Sequence, residues 1–316
     1  MTQNLPSICP ICHTRGRHEF SSTDLMFGGT KSYDYHRCPA CDLIYQYPLP
    51  RGEEIAGFYP ESYVVYCQPT RTEFDAVQKA VLKHRYGYDH LATSWPAELA
   101  AKLLPFARIS EVMPRIEGGT VLDIGCGNGE YLLRLRSIGW NCKGVEFNDK
   151  AVSICREHGL DIFHGDLKSA NFASGSFDFV SAHHLLEHVP DPHELVGEIA
   201  RILKPGGTLL IRTPNSNALG RAWFGNDWYA NDVPRHLFLY SGHDLERLAS
   251  DHGLTLIALS KPVKAKLVLK SLDYKTGNKG KPSKKRKIRK WLAKLYVPAA
   301  KLTGRGDELF ALFSKG

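Results

Sequence analysis

Residues 120–130 read T-V-L-D-I-G-C-G-N-G-E. Val121, Leu122 and Ile124 make a short β-prone run. The glycines behind it, Gly125, Gly127 and Gly129, permit a tight turn that brings backbone close to a ligand before a helix starts. A glycine-rich loop alone is weak evidence, because it also serves merely to pack a helix on a strand. Three details narrow the choice. The spacing is G-x-G-x-G rather than the dinucleotide pattern G-x-G-x-x-G, and no G-K-[ST] follows, which excludes a phosphate-cradling P-loop. Asp123 ends the strand, where its carboxylate repels a pyrophosphate and suits a cationic ligand.

Outward from the loop, strand and helix signals alternate. Strands are predicted at Thr120–Ile124, Asn141–Phe147, Asp161–His164, Phe177–Ala182 and Thr208–Thr213, with two more at Leu254–Leu259 and Glu308–Phe313. The clearest helix is D-P-H-E-L-V-G-E-I-A-R-I-L-K. Asp191 is its N-cap, Pro192 suits its first position, and Glu194 is placed to close a capping box. Leu195, Val196, Ile199, Ile202 and Leu203 line one face, and Pro205-Gly206-Gly207 ends the helix. A second helix is expected from a cap at Ser241 to Gly253. This alternation implies an α/β fold with a mainly parallel sheet and helices on both faces. Glu146 ends the second strand of the series, 21 residues after Gly125, the interval at which an acid meets a ribose diol. Asp166 follows the third strand, so three acids form a rim at the carboxyl ends, where open α/β sheets bind ligands.

This constellation resembles the class I S-adenosylmethionine-dependent methyltransferases from about Gly119 to the last strand. The resemblance implies a Rossmann-like seven-stranded sheet. It places the loop Gly125-Cys126-Gly127, with Gly129, along the methionine part of the cofactor, and Asp123 near its amino group. Glu146, with Phe147 after it, takes the ribose hydroxyls; Asp166 and Leu167 hold the adenine; His183 borders the cofactor. The family's fourth motif reads S-A-H-H-L-L-E-H-V-P-D-P and its fifth L-K-P-G-G-T-L-L-I-R-T-P-N. In the fourth, His184, Glu187 and His188 share a face if the turn is helical. They either floor the cofactor pocket or hold a divalent metal that orients a catechol-like substrate. The ubiquinone-biosynthesis O-methyltransferases resemble this stretch and carry an acid where His184 stands.

The eight cysteines include two pairs, Cys9-Pro-Ile-Cys12 and Cys38-Pro-Ala-Cys41. Four thiolates from two knuckles satisfy tetrahedral zinc, which replaces the core a unit this small cannot build. The pattern C-P-I-C-H also matches haem attachment, and a redox dithiol is a further reading, but the first needs export and the second needs no second pair. Cys67, Cys126, Cys142 and Cys155 have no partner spacing and are expected to be buried or half-buried thiols. A cysteine knuckle running on as C-D-L-I-Y-Q resembles the deoxysugar C-methyltransferases. The expected division is 1–45 zinc ribbon, 46–117 linker and helices interrupted at Pro96, Pro105 and Pro114, and 118–316 methyltransferase domain.

The loop W-F-G-N-D-W-Y-A-N-D-V-P-R-H-L-F follows the fifth strand, where α/β enzymes carry substrate groups. Trp223, Trp228 and Tyr229 are candidates for an apolar or sugar-stacking wall, and Arg235 for a phosphate or carboxylate partner. His236 is the candidate general base, since its unperturbed pKa of about 6.5 lies near working pH; the alternative is a packed lid whose histidine caps a carbonyl. The P-R-H-L string resembles methyltransferases encoded with bacterial surface-polysaccharide enzymes.

The 316 residues predict about two domains. With 43% hydrophobic and 23% charged residues, collagen-like and wholly disordered readings are excluded. Residues 261–294 hold fourteen Lys and Arg against one acid, a local +13 that leaves the other 282 residues at −5 within the total of +8. A whole-surface nucleic-acid binder is therefore not expected. Basic residues there, Lys284, Lys285, Arg286 and Lys287 among them, adjoin Leu292, Leu295, Tyr296 and Val297, a pairing suited to anionic membrane surfaces. With no apolar run near the roughly 18–20 residues of a span and no signal-like N-terminus, a cytoplasmic protein is expected, peripheral at a membrane through 261–294. The expected reaction is methyl transfer to a saccharide or sugar nucleotide. A quinone or phenol precursor stands second, and a non-enzymatic zinc-ribbon module that retains the cofactor third. The sequence leaves the oligomeric state open.

Overall fold

A computed structural model describes residues 7–60, 67–103, 111–277 and 286–316, and for 286–292 the backbone alone. In chain order the elements are β1 (Arg17–Thr23), β2 (Ser32–Arg37), β3 (Ile44–Tyr47), α1 (Glu53–Ala56), α2 (Ala76–Tyr86), α3 (Trp95–Leu103), β4 (Thr120–Ile124), α4 (Glu130–Arg136), β5 (Asn141–Glu146), α5 (Asp149–Glu157), β6 (Asp161–His164), β7 (Phe177–His183), α6 (Pro192–Ile202), β8 (Leu203–Pro214), α7 (Leu219–Phe224), β9 (Phe238–Leu239), α8 (Gly242–Ser250), β10 (Leu254–Ser260), α9 (Ala265–Lys275), α10 (Arg286–Leu302) and β11 (Glu308–Lys315).

Seven strands form the predicted sheet, in the order β10-β11-β8-β7-β4-β5-β6. All seven expected strands are present, and α6 and α8 start where their caps place them. Asp191 accepts the Glu194 N–H at 2.9 Å, and Ser241 with Asp244 closes a capping box. Leu203, expected on the face of α6, and Pro205, Gly206 and Gly207, expected to end it, already belong to β8. Pro96 sits in the first turn of α3 and opens the helix rather than interrupting it, since the first turn has no N–H to lose. Pro105 lies outside the described residues.

The chain divides into two compact units, one of residues 64–183, 197–210 and 314–316, the other of residues 1–63, 184–196 and 211–313. In the first, β4 pairs in parallel with β5 and β7, and β5 with β6. The chain runs outward from β4 through β5 to β6, then returns to β4's other side as β7. That reversal opens a crevice beyond the carboxyl ends, where the loop 125–129 sits. Val121, Leu122, Leu132, Leu135, Phe179 and Val180 fill the core.

In the second unit, β1-β2-β3-β9 form a separate four-stranded antiparallel sheet. Because β3 pairs with β9, the cysteine-bearing segment forms one body with residues 184–196 and 211–313 instead of a ribbon standing alone. The basic insertion supplies α9 and α10. Tyr296, expected at a membrane, is fully buried with Ala218, Trp228, Val268 and Ala300, and its hydroxyl donates to Asp307 and accepts the Gly220 N–H. Leu295 remains exposed. Lys284 and Lys285 lie outside the described residues, as do the side chains of Arg286, Lys287 and Leu292. Among the described residues, no helix is long and apolar enough to cross a membrane.

Candidate active site

The loop beyond β4 is held from beneath. The N–H groups of Gly125 and Cys126 both donate to Val145 O of the neighbouring strand, at 2.8 and 3.2 Å. Gly129 has φ 73°, and a Cβ there would stand 2.5 Å from Leu160 and 2.9 Å from the Cys155 sulfur, so only glycine fits. Gly127 also has positive φ, yet a Cβ would meet nothing within 4 Å, so the loop's outer side is open.

Glu146 is buried at the end of β5, and its carboxylate accepts three backbone N–H groups. One oxygen takes Gly127 at 2.9 Å; the other takes Phe147 and Asn148, each at 3.0 Å. It is therefore the brace between the glycine loop and the next turn. A carboxylate has about four acceptor sites, so roughly one remains for a ligand hydroxyl. Asp123 is buried one strand over and accepts from Ser181 Oγ at 2.7 Å. Burial pushes its carboxyl up to about 7, and the charges of Glu146 and Glu111 add to the rise. A buried acid this close to neutrality is poised to ionise when a cation arrives. Asp166 is exposed after β6 and accepts the Ser169 N–H at 2.7 Å, a bond that holds its carboxyl below the usual range. Leu167 is buried, Phe147 is exposed, and the His183 ring packs on Tyr131 with centroids 4.5 Å apart. Cys126 and Cys155 are buried and Cys142 half-buried as expected, whereas Cys67 is exposed.

In the other unit, the two cysteine knuckles share one geometry. Cys38 N–H donates to Leu43 O and Asp42 N–H to Cys38 O; Cys9 and His13 repeat both bonds, with Thr14 O as acceptor. His13 and Asp42, the residues after each pair, both have positive φ. The sulfurs of Cys9 and Cys41 are 3.6 Å apart, those of Cys12 and Cys38 3.2 Å, and all four lie within 4.8 Å. Four ligands on zinc at about 2.3 Å stand roughly 3.8 Å apart, so the donor set fits that ion.

The same unit reshapes the loop 223–238. Arg235 is fully buried and committed within the protein: it pairs with Asp24 at 2.8 Å and Asp232 at 2.7 Å and donates to Phe58 O. This corrects its expected role as an anion partner. Trp228 is buried against Gly220, Phe224 and Tyr296, so it is core rather than a stacking wall. Tyr229 accepts from Lys270 at 2.7 Å, and Trp223 stays half-exposed. His236 is buried with its Nδ1 donating to Ala230 O at 3.0 Å, the carbonyl-capping arrangement; its Nε2 stands 3.8 Å from Asp232. Its ring meets His188 edge-on, centroids 4.8 Å apart. Leu186–His188 form a single 3₁₀ turn, with Glu187 fully buried and His184 Nδ1 3.2 Å from it. Sequence spacing placed His184, Glu187 and His188 together; the convergence of His236 on them had no local signal.

The sequence model described as a methyltransferase domain matches residues 88–259, more than half of the chain. The chain belongs to the methyltransferase-domain family. The glycine loop with its acidic rim falls inside the matched span. The ubiquinone biosynthesis O-methyltransferase of Thiobacillus denitrificans is 32% identical over 152 residues, covering 44% of this chain and 66% of that protein. The enzyme of the same name from Xanthomonas oryzae is 33% identical over 139 residues, covering 40% of this chain and 58% of that protein. This methyltransferase thus spans less than two thirds of these relatives' length. Among solved structures it is similar to geranyl diphosphate C-methyltransferase from Streptomyces coelicolor, with a TM-score of 0.49, 15% identity, and coverage of 84% of this chain and 97% of that one.

Proposed function

We propose that this methyltransferase moves the methyl group of S-adenosylmethionine to a hydroxyl of a phenolic, quinone-precursor acceptor. The carrying observation is the match to curated relatives named for O-methylation in ubiquinone biosynthesis. It favours the phenolic acceptor over the saccharide that the sequence patterns suggested, and the loss of Arg235 and Trp228 to internal packing removes two of the groups that reading relied on.

The sulfonium already activates the methyl group, so the protein contributes mainly alignment for in-line displacement, plus removal of the acceptor's proton. Asp123 would face the cofactor's ammonium, the last acceptor site of Glu146 its ribose, and Asp166 with Leu167 its adenine. The four cysteines would hold zinc as a structural ion, since four closed thiolate ligands leave no position for chemistry. The test is transfer of labelled methyl from S-adenosylmethionine to a panel of catechols, phenols and sugar nucleotides. Label in a phenolic ether supports the reading; label confined to the sugar nucleotides overturns it.

A further inference from the structure

We propose that the outer edge of β10 is a docking surface for a second copy of this chain, whose own β10 pairs with it antiparallel about a two-fold axis at Ile257. Among the described residues, the two sheets end in four edge strands: β10 and β6 in the larger, β1 and β9 in the smaller. An edge strand offers N–H and C=O groups to any passing strand, and proteins blunt it with charge, bulges or brevity. Three of the four are blunted. β6 is four residues long, starts at Asp161, which pairs with Lys143 at 2.8 Å, and ends at His164. β1 opens with Arg17-His18-Glu19, and its register shifts between His18 and Phe20. β9 has only two residues.

β10 has none of these devices. Its seven residues, L-T-L-I-A-L-S, include no charge and no proline. Thr255 and all four residues from Ile257 to Ser260 are exposed, Ile257 at 57% and Leu259 at 37%. Side chains alternate along a strand, so Ile257 and Leu259 share one face. Leu259 lies over Gly242 at the start of α8, where a Cβ would stand 2.7 Å from its Cδ2. The rest of that face is open beyond Leu259. An uncharged apolar edge of this length invites strand addition unless a partner covers it.

The strand's own sequence specifies the occupant. Antiparallel pairing about Ile257 sets Ile257 opposite Ile257, Leu256 opposite Ala258, Thr255 opposite Leu259 and Leu254 opposite Ser260. No like charges face each other, and large side chains meet small ones everywhere except on the axis. Ile257 and Leu259 of both copies then join on one face as a single apolar cluster. Just past the strand ends, Lys261 of each copy comes opposite Gly253 of the other, within diagonal reach of Asp251 there. Lys261 and Asp251 are both exposed, and the two-fold axis makes that ion pair twice. A parallel copy in register would instead set Lys261 beside Lys261. The antiparallel contact is isologous and closes after two copies, since both use the same edge. One strand and its rim form a small interface, below about 1,200 Å², so the dimer should exchange at micromolar concentrations.

The experiment is sedimentation velocity on the full chain across the micromolar range. The wild-type mass should rise with concentration from one chain to two. Ile257→Lys and Ile257→Glu place like charges directly opposite on the axis, and each should weaken association tenfold or more. An equimolar mixture of the two variants should associate again, because opposite charges then meet. Ile257 is more than half exposed, so both variants should melt like the wild type. If either fails to fold, Ile257→Cys in a Cys67→Ser chain decides. Opposed residues have Cα atoms about 4.5–5.5 Å apart, within disulfide reach, so mild oxidation should give a covalent dimer. A wild type that stays a single chain throughout, a dimer indifferent to Ile257→Lys, or a mixture that does not recover overturns the proposal. The readout is mass, so it is independent of which acceptor is methylated.

Discussion

Asp123→Asn should make the protein more stable and a poorer binder of its cofactor. The carboxyl is buried and displaced from 3.8 to about 7, chiefly by burial. A displacement of that size corresponds to an upper value on the order of 4 kcal/mol, and about half of it should survive local relaxation. The sign follows from linkage. The folded value lies above the unfolded one, so the acid's contribution is intact below about pH 4 and is lost as pH rises through about 7. Asparagine keeps the acceptor for Ser181 but cannot ionise. The variant should therefore match the wild type near pH 4 and exceed it by about 2 kcal/mol at pH 8. Denaturant melts at pH 4.5, 6 and 8 measure the difference. Calorimetry with S-adenosylmethionine at pH 8 should show affinity reduced by roughly 10- to 100-fold, the scale of one hydrogen bond to a charged group. A stability difference that does not change with pH would refute the burial argument. A stabilised variant with unaltered affinity would leave burial intact and remove Asp123 from the ammonium site.

Glu146→Ala strands the N–H groups of Gly127, Phe147 and Asn148, and calorimetry should show cofactor binding weakened by about 1.5–3 kcal/mol. The purified protein should hold about one zinc in its four-cysteine site by elemental analysis, and Cys38→Ser should lose it and expose the first 45 residues to protease. In Gly220→Ala the new Cβ would lie 2.2 Å from the buried Trp228 ring, so thermal melts should report about 1–3 kcal/mol of destabilisation. Co-sedimentation with anionic vesicles should depend on the basic insertion, fall with salt, and vanish when Lys284, Lys285, Arg286 and Lys287 become Ser; equal binding to neutral vesicles would refute it.

Much of this molecule was written in short stretches. The strands of the seven-stranded sheet, the caps at Asp191 and Ser241, the glycine loop and the paired cysteines are set by neighbours within a few residues. Pattern, φ preference and ligand spacing suffice for each, because those forces act locally. What lay beyond the sequence were the partners that long loops bring back. Arg235 looked available, but the fold gives it Asp24, 211 positions earlier in the chain. Trp228 looked like a substrate wall, but the small Cα face of Gly220 lets its ring sink into the core. Glu146 read as a ribose acid, and the tertiary structure first makes it the acceptor for three loop N–H groups. His236 and Glu187 stand 49 positions apart, and the bonds of Leu237 N–H to the Glu187 carbonyl and of His188 Nδ1 to the Arg235 carbonyl draw their segments together. A buried charge or lone pair must find its complement in space, and one-dimensional spacing does not say which distant residue will supply it.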